Sequence, residues 1–328
     1  MRGNADETNA HPHRGIPRAL RTAAHRRNDA VITVGIIKDG QVSYTVYGEN
    51  GAVLPAEPHT YEIGSLTKTF TAALINKAIR EGKLDFDDMI DQYLTLPAGN
   101  AYPTIQSLLT HTSGYKAYYF ERPMIGNYIN GRNAFCGVTD DMVLHKAGTL
   151  DMKQDSYGFT CSNFGYAVLG LVLEAVYDTD YTTLLNGFAQ NGLGLGSTRI
   201  SDQSGDLSNY WDWQADDGYL PADGITSNIE DMLQYAKYQL DGDVRFSNCH
   251  KSLKTIHAST ESYEAMGVYV DEIGMAWIID RENGVVWHNG GTGDYNSYLG
   301  FSPEIAPPRS LCFPIFRRAI ASPPPCWG

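Results

Sequence analysis

Glu62-Ile63-Gly64-Ser65-Leu66-Thr67-Lys68 is the stretch from which the rest of the chain is read. A serine is followed three residues later by a lysine, and the pair opens a helical pattern. Leu66, Phe70, Ala73, Leu74 and Ala78 fall at helix spacing, and Gly82 supplies a C-terminal stop. Residues three apart on a helix share a face, so the spacing predicts Ser65 and Lys68 side by side at a helix N-terminus, where outward-pointing N–H groups favour negative charge. A serine hydroxyl is a poor nucleophile until a neighbour takes its proton. A lysine whose pKa is lowered by desolvation and nearby charge can be that neighbour. Many chains contain a Ser-x-x-K by chance, so the pair needs support from elsewhere.

Upstream, Ala30 to Lys38 is apolar and β-branched and Gln41 to Gly48 alternates, with Asp39-Gly40 as a hairpin turn between them. Downstream, an acidic turn over Asp85 to Asp91 precedes Leu109-Thr-His-Thr-Ser-Gly114 and a loop-like aromatic stretch from Tyr115 to Tyr128, which either packs against the body or rims a pocket. Helices are expected over Thr139 to Ala147, Asn163 to Tyr177 and Tyr181 to Ala189, and Ser227-Asn-Ile-Glu230 reads as a capping box before another helix reaching Leu240. Strands return from Val268, over Gly274 to Asp280, Gly284 to His288 and Tyr298 to Phe301. Strands at both ends with helices between them predict an α/β (α+β) fold, an antiparallel sheet flanked by helices. Residues 29–89 and 216–304 are assigned to the sheet domain, 90–215 to a helical insertion, 1–28 to a polar N-terminal segment and 305–328 to an atypical Pro-rich tail.

The bulk numbers remove other classes. The 328 residues, 42% hydrophobic and 19% charged, suit an ordinary globular protein. A net charge of -13 argues against a nucleic-acid surface, and no apolar run approaches the length of a membrane span. Met1 to Asn28 contains no apolar signal-peptide core, so the chain is expected to be cytoplasmic as written, or secreted if a leader has been removed. Five widely spaced cysteines indicate neither a disulfide framework nor a zinc site. His11 and His13 belong to a polar tail, and nothing calls for a metal or a cofactor.

Three further segments join Ser65 and Lys68: Leu109-Thr-His-Thr-Ser-Gly114, Cys161-Ser162-Asn163 at the head of a helix, and His288-Asn-Gly-Gly-Thr-Gly293 after the strand Val285-Val286-Trp287. Together they resemble the serine β-lactamase and penicillin-binding-protein-like superfamily. The resemblance is strongest to the branch that holds class C β-lactamases, DD-carboxypeptidases, D-aminopeptidases and family VIII esterases, and it spans about residues 30 to 304. It implies an acyl-enzyme on Ser65, with Lys68 deprotonating it and Asn163 holding the substrate amide and orienting Lys68. His288-Asn289-Gly290 occupies the Lys-Thr-Gly position, and the N–H groups of Ser65 and Gly291 form an oxyanion hole. The implied partner is a small-molecule or peptide substrate: a β-lactam, a D-amino-acid peptide or a small ester. Histidine in the lysine position leaves less fixed positive charge for a substrate carboxylate. His111 reads as a hydrogen-bonded structural residue, Ser113-Gly114 as loop-shaping and Thr292-Gly293 as strand geometry. Asp294 and Tyr295 sit where the site opens.

Two departures stand out. The Tyr-x-Asn motif reads Cys161-Ser162-Asn163, and a thiol is too short to span the gap a phenol fills. The proton path is then broken or bridged by water, with Tyr157 as a candidate substitute. This opens a rival function, a catalytically impaired relative that binds peptidoglycan-like or β-lactam ligands without efficient turnover. The second departure is the C-terminus, where prolines at 307, 308, 314, 323, 324 and 325 exclude a helix and a central strand for most of the tail, predicting loose attachment.

Overall fold

The computed structural model describes residues 30–153, 155–265 and 267–302 and the backbone of 313–317. The N-terminal segment 1–28, a short helix expected over Ile16 to Arg27, and the tail outside 313–317 lie outside the described residues.

The expected hairpin forms from β1 (Ile32–Lys38) and β2 (Gln41–Tyr47), turning through positive φ at Asp39 and Gly40. β3 (Val53–Leu54) pairs with β2, and β4 (Tyr61–Glu62) leads into the Ser65 turn. Helices follow: α1 (Thr67–Arg80), α2 (Ile105–Leu109), α3 (Arg122–Ile129), α4 (Asp140–Thr149), α5 (Asn163–Tyr177) and α6 (Tyr181–Asn186). Next come β5 (Arg199–Ile200), α7 (Leu220–Asp223), β6 (Ile225–Ser227) and α8 (Ile229–Leu240). The chain then returns to strand with β7 (Lys254–Thr255), β8 (Glu272–Ile273), β9 (Ile278–Asp280), β10 (Val285–Gly291), β11 (Tyr295–Phe301) and β12 (Phe313–Arg317). Among the described residues these make one nine-stranded antiparallel sheet, ordered β3-β2-β1-β12-β11-β10-β9-β8-β7, and a three-stranded sheet, β4-β6-β5.

The core lies between the large sheet and the helices. Phe70 on α1 stacks on Tyr235 of α8, ring centroids 4.1 Å apart. Helix α5 is apolar around its circumference and buried from Asn163 through Leu173, as expected of a helix surrounded on all sides. Gly170 on α5 matters for the site: a Cβ there would lie 2.2 Å from Pro221 Cγ, so only glycine lets the short α7 seat this close. No helix among the described residues is long and apolar enough to cross a membrane.

Three local expectations need correction. Within the stretch expected to be a loop, Arg122–Ile129 is helical, because Pro123 sits in the first turn, where its missing N–H costs nothing. The cap of α8 is Asn228, one residue beyond Ser227, with its side chain accepting from Asp231 N at 2.9 Å. The tail was expected to exclude a central strand, yet Phe313–Arg317 lies between β1 and β11. Pro314 pairs opposite Val34, whereas β11 partners only Phe316 and Arg317. The missing proline N–H therefore falls where the ladder is registered on one side alone.

Candidate active site

Ser65 sits in a single 3-10 turn, Gly64–Leu66, which runs directly into α1. Two close approaches fix this turn. Gly64 has φ +50°, and a Cβ on it would lie 2.6 Å from Gly291 N. On the facing strand β10, a Cβ on Gly290 would lie 2.1 Å from Ile63 O and 2.7 Å from Ser65 N. Strand and turn thus meet backbone to backbone, and Ser297 Oγ on β11 adds a 2.6 Å hydrogen bond to Ile63 O. This is the geometric setting in which the backbone N–H groups of Ser65 and Gly291 were expected to act together.

Lys68 is one turn along α1, as the spacing predicts, and its side chain is wholly buried. Its Nζ donates to Ser65 Oγ at 2.7 Å, to Ala222 O at 3.1 Å and to Asp223 Oδ1 at 3.5 Å. Ser65 Oγ in turn donates to Asp223 Oδ1 at 2.7 Å. The other carboxylate oxygen, Oδ2, accepts from Asn163 Nδ2 at 2.8 Å. Four side chains, from the Ser65 turn, α1, α5 and α7, therefore converge in a buried polar cluster. A buried charge requires a partner and saturated hydrogen bonds, and Lys68 and Asp223 supply these to each other.

Asp223 is the functional candidate that sequence reasoning missed. It ends α7, and that helix is pinned from several sides. Thr71 Oγ1 donates to Pro221 O at 2.6 Å, Ile225 N donates to Thr67 Oγ1 at 3.1 Å, and Gly170 admits Pro221. The available signal was an acid between Ala222 and Gly224 in an otherwise apolar run, where a solvated acid has no reason to be.

Asn163 is placed by its cap. Ser162 Oγ accepts from Gly165 N at 2.9 Å and donates to Lys116 O at 2.6 Å. Ser162 N donates to His111 Nδ1 at 3.0 Å. Burial and the nearby Lys68 cation hold the His111 pKa well below the usual value, so His111 stays neutral and braces the turn. Cys161 is buried immediately before this cap. Tyr157, the candidate substitute, does not take up the motif's role: its exposed hydroxyl bonds to Lys153, donating to the carbonyl at 3.2 Å and accepting from the amide at 3.1 Å.

His288 is buried on β10, and its Nδ1 donates to Asn289 O at 2.6 Å. Burial first, and the Lys68 cation second, push its pKa down to about 3. The imidazole is neutral at physiological pH and supplies no fixed cation. Beyond the strand, Asn209 Nδ2 donates to Asp294 Oδ2 at 2.6 Å and Tyr295 Oη to Ser208 O at 2.7 Å, stitching the 205–213 loop to this edge. In the aromatic stretch, Tyr115 and Tyr119 pack their rings on Phe164 while Tyr118, Phe120 and Tyr128 are exposed. Among the described residues, no group of three His, Cys, Asp or Glu side chains could hold a metal ion.

Protein flp of Staphylococcus aureus (strain MRSA252) is 25% identical over 306 residues, 82% of this chain and 56% of that protein. The chain thus spans about half the length of the curated relatives it matches. The β-lactamase/D-alanine carboxypeptidase of Yersinia pestis superposes with a TM-score of 0.72 at 19% identity, covering 92% of this chain and 90% of that one. A D-stereospecific amidohydrolase from Streptomyces gives 0.69 at 19% identity, covering 93% and 94%. These likenesses establish the β-lactamase and transpeptidase-like fold. The family model described as Beta-lactamase matches residues 18–317, nearly the whole chain, and the protein belongs to the β-lactamase family.

Proposed function

We propose that this protein is a serine hydrolase that forms an acyl-enzyme on Ser65 with amide or ester substrates. The observation that carries the reading is the placement of Ser65 Oγ at the head of α1, 2.7 Å from both Lys68 Nζ and Asp223 Oδ1, with the Ser65 backbone against Gly290. A hydroxyl held between a cation and an anion has its proton aimed at an acceptor and a lone pair free for attack. The backbone N–H groups of Ser65 and Gly291 receive the developing oxyanion, and such donors each contribute about 3 kcal/mol. Asn163 fixes the carboxylate and reaches toward the substrate amide. In this reading the sheet region, residues 29–89 and 216–304, carries the nucleophile, the carboxylate and the oxyanion strand. The insertion over 90–215 supplies Asn163.

The candidate substrates are β-lactams, D-amino-acid peptides and small esters, the first two in keeping with the activities named for the Yersinia and Streptomyces proteins. Neutral His288 supplies no fixed cation for a substrate carboxylate, so small esters and amides without one rank first. The rival reading, binding without turnover, draws on Cys161 at the motif's tyrosine position. Incubation with a fluorophosphonate and with a fluorescent penicillin, followed by intact mass and peptide mapping, separates the two. An adduct on Ser65 that turns over with an ester supports the hydrolase, and ligand retention with no covalent change supports the binder. An adduct on Ser113 or Ser162 defeats both.

A further inference from the structure

Ser65 Oγ lies between a cation and a carboxylate, 2.7 Å from Lys68 Nζ and 2.7 Å from Asp223 Oδ1. The Lys68 nitrogen lies 2.7 Å from Ser65 Oγ, 3.1 Å from Ala222 O and 3.5 Å from Asp223 Oδ1. Set between the Ala222 carbonyl and the Asp223 carboxylate, Lys68 is placed to act as a cation that donates to Ser65 Oγ. The Ser65 hydroxyl donates to the carboxylate, 2.7 Å away. That carboxylate is held on its far oxygen by Asn163 Nδ2 at 2.8 Å and lies on a helix end docked against α1 and α5. Nothing in the motif pattern assigns Asp223 a role.

We propose that Asp223 is the base that takes the Ser65 proton, with Lys68 serving as a fixed cation. The carboxylate thereby performs the proton work that the resemblance assigns to the motif's tyrosine, whose position Cys161 occupies. This rests on the acyl-enzyme reading given above. As Oγ bonds to the substrate carbonyl carbon, its proton passes to Asp223 Oδ1 and the carbonyl π pair moves onto oxygen, facing the N–H groups of Ser65 and Gly291. The carbonyl then re-forms, and the bond to the leaving amine or alcohol breaks with its electron pair. The departing atom takes the proton back from Asp223. Water repeats the cycle: its proton goes to Asp223 while its oxygen bonds to the acyl carbon, and Ser65 Oγ leaves and recovers a proton from the carboxyl. Lys68 remains an ammonium throughout and offsets first the carboxylate charge and then the oxyanion.

The test compares the unaltered protein with Asp223→Asn and Lys68→Arg. It follows fluorophosphonate labelling of Ser65 by intact mass, p-nitrophenyl butyrate turnover as kcat and KM separately, and thermal melting to confirm folding. General-base assistance is typically about a hundredfold to ten-thousandfold, so Asp223→Asn should slow labelling and kcat by at least about a hundredfold while KM moves little. Arginine keeps the charge and cannot act as a base at working pH, so Lys68→Arg should slow labelling without abolishing it. If Asp223→Asn fails to fold, Lys68→Arg decides alone, since any adduct it forms requires a base other than residue 68. Labelling of Asp223→Asn within about threefold of the unaltered protein overturns the proposal, as does a Lys68→Arg protein that is folded yet gives no adduct. If the unaltered protein itself gives no Ser65 adduct, the hydrolase reading fails and this proposal with it; an adduct in the unaltered protein with either of the two adverse results sinks only the role of Asp223.

Discussion

Thr292 Oγ1 donates a 2.5 Å hydrogen bond to Glu62 Oε2, three residues before Ser65. Trp211 N donates to the other oxygen at 2.5 Å. One buried carboxyl therefore ties the end of β10, the 205–213 loop and the Ser65 turn together. Burial is the largest influence on it and pushes its pKa up from 4.5 to about 7, against the opposing pull of these two hydrogen bonds.

Glu62 makes stability pH-dependent with a defined sign. Because the folded pKa lies above the unfolded one, the fold favours the protonated carboxyl. That stabilisation is fully present below about 4.5 and is lost as pH rises through about 7. The full swing is on the order of 3 kcal/mol. Glu62→Gln mimics the protonated form, so its melting temperature should gain on the unaltered protein between pH 5 and pH 8. A difference between the two proteins that is constant across that range would show that Glu62 does not titrate there.

Gly290→Ala should cost both stability and labelling. The new methyl group would lie 2.1 Å from Ile63 O and 2.7 Å from Ser65 N, both backbone atoms that cannot swing aside. Overpacking of this kind typically costs about 1–3 kcal/mol, and any relief moves the Ser65 N–H away from the oxyanion position proposed for it. Thermal melting and fluorophosphonate labelling read the two effects, and a variant with normal melting and normal labelling would contradict the geometry.

Cys161→Ser should leave ester hydrolysis within about threefold of the unaltered protein. On the proposal that Asp223, 2.7 Å from the Ser65 hydroxyl, takes its proton, the buried thiol is not required to move one. Steady-state kinetics with p-nitrophenyl butyrate decides this: a loss of about thirtyfold or more would place the thiol in the mechanism.

Truncation after residue 304 should prevent folding to a soluble monomer. Strand β12 lies between β1 and β11, so its removal exposes the backbone edges of both, and unpaired edges template association between chains. Size-exclusion chromatography and circular dichroism read the outcome. A truncated protein that stays monomeric with the native spectrum would show that Phe313–Arg317 adds nothing to the sheet.

The sequence by itself determined what depends on short-range chemistry. A three-residue offset on a helix places Lys68 against Ser65, and the Asp39-Gly40 turn makes the β1–β2 hairpin. A continuous apolar surface from Phe164 to Leu173 makes α5 a buried helix headed by Asn163. Each of these follows from periodicity or turn preference within a few residues. Asp223 was decided by tertiary structure alone. It contacts Ser65 across 158 positions of sequence, and no local pattern encodes that contact. Gly170 had to be small enough to admit Pro221, and Thr71 had to bond Pro221 O, before the carboxylate could reach the serine. The tail diverged for the same reason. Proline content is a local argument against a strand, but the ladder position of Pro314 depends on which neighbour β1 and β11 present at that register. Local preference sets what each segment can form, and only close packing of distant segments determines which polar groups meet in the dry interior where their charges act.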